Sequence, residues 1–207
     1  QDTFFFFSKN DQERNKIIRI YNPLDTDEIL IKSKAPVLHY DFDASVPTFV
    51  SVGTVFPQKG FDRLLRVHQK LLKEGLHHNI LIIGDGYDFE NIKKLKSDLG
   101  LDNSVTMLGF TENPYPYIRE AGYFVLSSRY EGFPTVLFEA ITLKKNIIAT
   151  RVSGVDEMLQ NGQLGLITDN SEEGIYTGMK QALTQPESFS GYQHQLKNYS
   201  MLCGSRR

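Results

Sequence analysis

The chain has 207 residues, with 23 Lys plus Arg against 25 Asp plus Glu and 40% hydrophobic residues. At this size folding hides roughly 70% of the unfolded surface, so the composition is that of an ordinary globular domain and excludes disordered or collagen-like chains. A formal charge of −2 exerts no whole-molecule pull toward nucleic acid or an anionic membrane, so any anion site must be local.

Residues 16–21 are strand-like, Asn22-Pro23 interrupts them, and residues 41–45 read as a loop. From Thr48 onward β-rich apolar runs alternate with amphipathic stretches, the pattern of βα units around a parallel sheet. Residues 48–52 make a first buried strand that Gly53 ends. Across residues 61–74, Phe61, Leu64, Leu65, Leu71 and Leu72 recur at helical spacing, and Gly75 stops the helix. Residues 80–83 are a second strand running into Gly84-Asp-Gly86, residues 89–99 a lysine-rich helix, and residues 105–108 a third strand closed by Gly109. A short helix over 114–120 and a strand over 123–126 follow. The next helix, 134–143, has its proline in the first turn, where a missing N–H costs little. A strand at 146–150, a short helix at 155–160, a strand at 164–167 and a helix over 171–183 capped by Ser171 complete the series. Residues 185–207 carry little pattern. The fold class is therefore α/β, a doubly wound, mostly parallel sheet with helices on both faces. One domain covers residues 23–190, and residues 191–207 are left without an assigned structure.

The most informative string is Ser127-Ser-Arg-Tyr-Glu-Gly-Phe-Pro-Thr-Val-Leu-Phe-Glu-Ala140. A strand ends at serines, a glycine-containing loop follows, and a helix begins near Pro134, at the sheet edge where doubly wound folds hold ligands. The amides of Gly132, Phe133, Thr135 and Val136 stand at the helix start, where N–H groups lack intrahelical partners and the dipole favours an anion such as phosphate. Glu131 precedes the helix and Glu139 lies about two turns further along, so the two acids cannot do the same task. Each can accept hydroxyls of a different sugar; the plain alternative is a helix cap at Glu131 and a solvated side chain at Glu139.

Other motifs read as structural. Gly84-Asp-Gly86 is a partial phosphate loop, with Phe89 where a dinucleotide loop has its third glycine, which argues against a dinucleotide cofactor. Asp25-Thr-Asp27 and Asp41-Phe-Asp43 match a metal-binding D-x-D pattern, but short acidic pairs cap turns and no third ligand accompanies them, so no metal is expected. His68 lies on the apolar helical face as a packed imidazole. Lys93-Lys94 and Lys144-Lys145 read as solvated helix faces and turns.

Glu131-Gly-Phe-Pro-Thr-Val-Leu-Phe-Glu139, two glutamates separated by seven residues, resembles the hallmark of the retaining glycosyltransferases of family 4, whose GT-B fold pairs two Rossmann-like domains. Tyr21-Asn-Pro-Leu-Asp25, Val52-Gly53 through Pro57-Gln-Lys-Gly-Phe-Asp62, Ile83-Gly-Asp-Gly86, Leu108-Gly-Phe110 and Ser153-Gly-Val-Asp-Glu157 agree with that family in order and spacing. The chain resembles the C-terminal, donor-binding domain, with residues 1–22 as the tail of a missing N-terminal domain and the interdomain connection. By resemblance, Glu131 contacts donor-sugar hydroxyls, Glu139 binds the nucleotide ribose, and Gly132, Phe133, Thr135 and Val136 offer amides to the phosphates or the sugar. Lys59 would pair with the diphosphate beside Gly53 and Thr54, and the catalytic roles fall to Lys59 and Glu131. Gly109 and Phe110 would line the base pocket, Phe110 being equally readable as a core aromatic.

Thr54 departs from the family, which has an arginine there sharing the diphosphate with the lysine; Arg63, Arg66 and Arg129 are the candidates to replace it. A missing charge-assisted contact forgoes roughly 1.5–3 kcal/mol, which keeps open a non-catalytic nucleotide-binding module as the alternative. The implied donor is a UDP-sugar or GDP-sugar, with no separate cofactor, and the acceptor is a glycan or lipid-linked sugar met through the missing domain. No nucleic-acid partner is expected. Cys203 is the single cysteine and cannot close an internal disulfide, which fits a reducing compartment. No apolar run reaches the roughly 18 residues of a membrane span. Residues 1–8 lack an initiator Met and the basic start of a signal peptide, and read as a cut end. The expectation is a cytoplasmic protein, with peripheral association at the inner face of the membrane for the full-length form.

Overall fold

The structure, a computed structural model, describes residues 25–204, with side chains described to residue 198. The expected strand at 16–21, its break at Asn22-Pro23 and the interdomain tail at 1–22 lie outside the described residues. The first element, α1 (Thr26–Lys32), has no counterpart in the sequence reading. Only Ile29 is buried, while Leu30 and Ile31 are exposed, so no apolar stripe marks the helix. Its signal is the cap: the Asp25 carboxylate accepts from the amides of Asp27 and Glu28 at 2.9 and 3.1 Å. Asp43 similarly accepts from the Ser45 amide and hydroxyl, at 2.8 and 2.6 Å. One acid of each D-x-D pair is thus engaged in a local turn, the structural use expected of them.

The strands β1 (Thr48–Val52), β2 (Asn79–Ile83), β3 (Val105–Gly109), β4 (Tyr123–Leu126), β5 (Asn146–Thr150) and β6 (Leu166–Thr168) form one six-stranded sheet, all parallel, in the order β3-β2-β1-β4-β5-β6. The connecting helices are α2 (Phe61–Lys73), α3 (Phe89–Asp98), α4 (Tyr115–Glu120), α5 (Thr135–Thr142), α6 (Val155–Met158) and α7 (Glu172–Thr184). Crossover helices cover both faces of such a sheet, so both must be apolar. Phe49, Ile80, Ile82 and Val125 pack with Leu64, Leu65 and Leu71 of α2 and Met179 of α7. Val50, Leu81, Phe124 and Leu126 pack on the opposite side with Ile118 of α4 and Leu137 and Ala140 of α5.

Three expectations need correction. The short helix α6 stops at Met158 rather than 160, because Gln160 and Asn161 take left-handed φ values of 49° and 54°. Residues 185–204 are ordered as a 3-10 turn (Pro186–Phe189) and α8 (Ser190–Gly204), anchored in the core by Phe189 and Leu196. Two isolated apolar anchors in a polar stretch leave no periodic signal. Lys145 is not a solvated turn lysine: its Nζ donates to the Arg119 carbonyl at 2.7 Å, and burial pulls its pKa down to about 8. No helix among the described residues is long and apolar enough to cross a membrane.

Candidate donor-binding site

The strand order reverses between β1 and β4, the switch point at which doubly wound sheets hold ligands in a crevice. After β1 the chain runs through Gly53 and an exposed Thr54 into a 3-10 turn, Pro57–Lys59, and enters α2 through Gly60. Gly60 has φ 67°, and a Cβ there would lie 2.2 Å from the Ser127 carbonyl oxygen, so only glycine lets the β1 and β4 loops approach this closely. The Gly84 amide donates to the Gly109 carbonyl at 2.8 Å, and a Cβ on Gly84 would lie 2.0 Å from the Gly53 carbonyl oxygen. The ends of β1, β2 and β3 are therefore laced together by backbone contact.

Lys59 lies along Gly53, where a Cβ would meet its Cε at 3.3 Å. Its Nζ donates to Glu131 Oε1 at 2.7 Å, and the Ser128 hydroxyl donates to the same oxygen at 2.6 Å. The lysine side chain is 16% exposed and the glutamate 7%. The two residues assigned catalytic roles are thus joined, although 72 positions separate them in the chain. Neither plain alternative survives: Lys59 is not a solvated loop lysine, and Glu131 caps nothing, since Pro134 is the N-cap of α5 and makes no side-chain cap bond.

A buried arginine holds this loop from behind. Arg63, 5% exposed, donates from Nε to the Ser127 carbonyl at 2.8 Å and from Nη2 to the Ser128 carbonyl at 2.6 Å and Asn170 Oδ1 at 2.7 Å. The Ser127 hydroxyl returns to the Lys59 carbonyl at 2.8 Å. Arg129 grips Asp62 with both nitrogens at 2.7 and 2.8 Å, and Arg66 reaches the same acid at 2.9 Å. Burial pushes the Asp62 pKa up, but the two arginines outweigh it and hold the group below the ordinary carboxylate value. The three arginines considered as substitutes for the one missing at position 54 are therefore engaged in holding the scaffold. Ser128 had no assigned place in the sequence reading, and Arg63 was placed there only as a substitute cation; the serines at the strand end were the available signal.

The helix α5 begins at Thr135, and the Leu137 amide closes onto the Pro134 carbonyl at 2.9 Å. The amides of Thr135 and Val136 precede that bond, in the turn where helix geometry supplies no internal acceptor. Gly132 is exposed, and a Cβ there would meet nothing within 4 Å. Phe133 is half-buried against Gly154, and Val136 is half-buried beside the core under α5. Glu139 is not solvated: burial raises its pKa to about 7, opposed by a hydrogen bond from Tyr115 at the start of α4. Nothing in the sequence pointed to Tyr115. The two glutamates meet different partners, Lys59 and Ser128 for Glu131 and Tyr115 for Glu139. Gly109 turns at φ 80°, and Phe110 beyond it is 74% exposed, which excludes the core-aromatic reading.

Comparison with known proteins agrees with this architecture. The family model for glycosyl transferases group 1 matches residues 40–201. An uncharacterized glycosyltransferase of Haemophilus influenzae is 32% identical over 177 residues, which are 84% of this chain and 48% of that protein. The Campylobacter jejuni N-acetylgalactosamine-N,N'-diacetylbacillosaminyl-diphospho-undecaprenol 4-alpha-N-acetylgalactosaminyltransferase is 27% identical over 180 residues, 86% of this chain and 47% of that one. Anabaena HepE, solved in complex with UDP and glucose, superposes with a TM-score of 0.68 at 17% identity, over 75% of this chain and 44% of that one. The chain spans about half the length of the curated relatives it matches. Its six-stranded parallel sheet is the Rossmann-like unit of GT-B structures, and by the match over residues 40–201 the chain belongs to the glycosyl transferases group 1 family.

Proposed function

We propose that the chain is the donor-binding half of a retaining glycosyltransferase, moving a sugar from a nucleoside diphosphate sugar to an acceptor hydroxyl. The observation that carries the reading is the meeting of Lys59, in the turn after β1, with Glu131, on the loop that leads into α5, at the β1/β4 switch point. Lys59 meets the diphosphate and, with the amides of Thr135 and Val136, stabilises charge that grows on the leaving group. Glu131 accepts hydroxyls of the transferred sugar, and Glu139 accepts the ribose hydroxyls. Gly53, Thr54, Gly132 and Phe133 line the phosphate and sugar end, and Gly109 and Phe110 the base end. No step in this scheme needs a metal.

The donor class is a UDP-sugar or GDP-sugar; HepE in complex with UDP-glucose supports the first. The acceptor, a glycan or lipid-linked sugar, is met through a second domain, for which the Campylobacter relative's diphospho-undecaprenol-linked acceptor is a precedent. Peripheral association with the inner face of the membrane belongs to the same proposal. Thr54, together with the prior engagement of all three nearby arginines, favours one second reading, a nucleotide-sugar binding module without turnover.

Titration with UDP, GDP and their sugar conjugates tests binding. Glu139→Ala is expected to weaken every nucleotide, and Glu131→Ala to weaken the sugar conjugates selectively. Unchanged titrations in both variants overturn the donor assignment. Sugar transfer by the protein carrying both domains separates the enzyme from the module.

A further inference from the structure

The Lys59–Glu131 pair joins the loops that follow β1 and β4, with the side chain of the acid 7% exposed. We infer that this pair is a latch that makes the site discriminate a nucleotide sugar from the bare nucleoside diphosphate, so that the spent nucleotide is held more weakly than the donor. The inference rests on the donor-binding reading of these two residues.

The argument follows from what each ligand can offer Glu131. A carboxylate is an acceptor only, and here its donors are the Lys59 ammonium and the Ser128 hydroxyl, both on Oε1. A diphosphate entering the crevice competes for the ammonium. If Lys59 turns to the phosphate, Glu131 keeps one neutral donor and becomes a buried charge stripped of its counter-ion, a costly state. If Lys59 stays, the diphosphate is brought beside a buried carboxylate and the two anions repel. A bare diphosphate meets one of these costs. A nucleotide sugar lessens the first cost, because its hydroxyls donate to Glu131 in the place Lys59 vacates, and Lys59 is released to the phosphates.

The surroundings offer Glu131 no other cation. Arg63, Arg66 and Arg129 are held by backbone carbonyls, Asn170 and Asp62, so none replaces Lys59 on Glu131 without dismantling the scaffold behind the loop. Thr54, exposed beside the turn, brings no second cation to the diphosphate. A single ammonium is therefore shared between the acid and the phosphate. Once the sugar has left, Glu131 reclaims Lys59, and re-forming the pair helps expel the nucleotide.

The test is calorimetry on the full chain with two matched pairs of ligands, UDP with UDP-glucose and GDP with GDP-mannose, for the wild type, Glu131→Gln and Lys59→Met. Circular dichroism checks that each variant is folded. In the wild type the sugar conjugate of the preferred base is expected to bind about tenfold or more tightly than its diphosphate. In Glu131→Gln, which removes the competing charge but keeps the shape, the bare diphosphate is expected to bind about three- to tenfold more tightly while the conjugate weakens, so the ratio collapses toward one. Lys59→Met weakens both. A diphosphate affinity that is unchanged or lower in Glu131→Gln, with Lys59→Met still weakening both ligands, overturns the latch and leaves the donor site standing. No binding of either pair, or no effect of Lys59→Met, overturns the donor reading and the latch with it.

Discussion

His68 Nδ1 lies 2.8 Å from His78 Nε2, the two rings meeting at 88°. The Leu76 carbonyl beside His78 Nδ1, at 2.8 Å, can only accept, so His78 carries its proton on Nδ1 and presents Nε2 as an acceptor. His68 must then donate from Nδ1 and accept from the Ser104 hydroxyl at Nε2, also at 2.8 Å. Burial disfavours charge on either ring, and with both neutral every bond of the chain is satisfied; the packed imidazole expected from helical periodicity proves to be half of a buried pair.

Burial, helped by the neighbouring ring, lowers the His68 pKa from 6.5 to about 3, and burial lowers that of His78 to about 4. The unfolded chain therefore takes up these protons first. The stability the pair contributes is complete above pH 6.5 and is lost as the pH falls from there toward 4. The urea midpoint is expected to drop across that window, and His68→Gln, which cannot ionise, to flatten the decline. An identical slope in the variant would show that the pair does not govern it.

Glu139 works in the opposite sense. Its folded pKa, raised from 4.5 to about 7, makes the ionised carboxylate a cost that grows as the pH rises from 4.5 through 7. Glu139→Gln is expected to raise the melting temperature at pH 8 more than at pH 5, while weakening UDP. An ionised carboxylate is the better acceptor, so under the proposed ribose contact wild-type UDP affinity is expected to decline below about pH 7. A flat affinity between pH 6 and 8 contradicts this.

Two glycines of the site are expected to respond differently. At Gly84, φ is 141° and a Cβ would collide with the Gly53 carbonyl, so Gly84→Ala is expected to cost about 1–3 kcal/mol and to distort the loop carrying Lys59. At Gly132 a Cβ meets nothing within 4 Å, so Gly132→Ala is expected to change stability by no more than about 0.5 kcal/mol. Any loss of donor affinity in Gly132→Ala then reports close approach of the ligand itself. Denaturant melts paired with calorimetry read both effects.

Thr54 is exposed, so an arginine fits there without repacking. Thr54→Arg adds a second cation beside Lys59 and is expected to tighten UDP by about ten- to a hundredfold, the size of one charge-assisted bond. An unchanged affinity would place the phosphates away from this loop.

The sequence alone determined the sheet. Apolar runs located β1, β4 and β5 to the residue, because strands buried on both faces need mostly hydrophobic stretches. It also singled out the two glutamates from the loop-and-helix string, and the lysine through the family resemblance. It did not show α1, whose exposed Leu30 and Ile31 break the periodicity, nor the burial of Lys145, whose neighbours come from α4. Only the tertiary structure decided that Lys59 and Glu131 are bound to each other, that Arg63 supports their loop from beneath, and that Glu139 faces Tyr115. Local pattern sets which residues are buried. Which charge meets which depends on the order of strands in the sheet, and that order brings the ends of β1 and β4 together across 72 residues of chain.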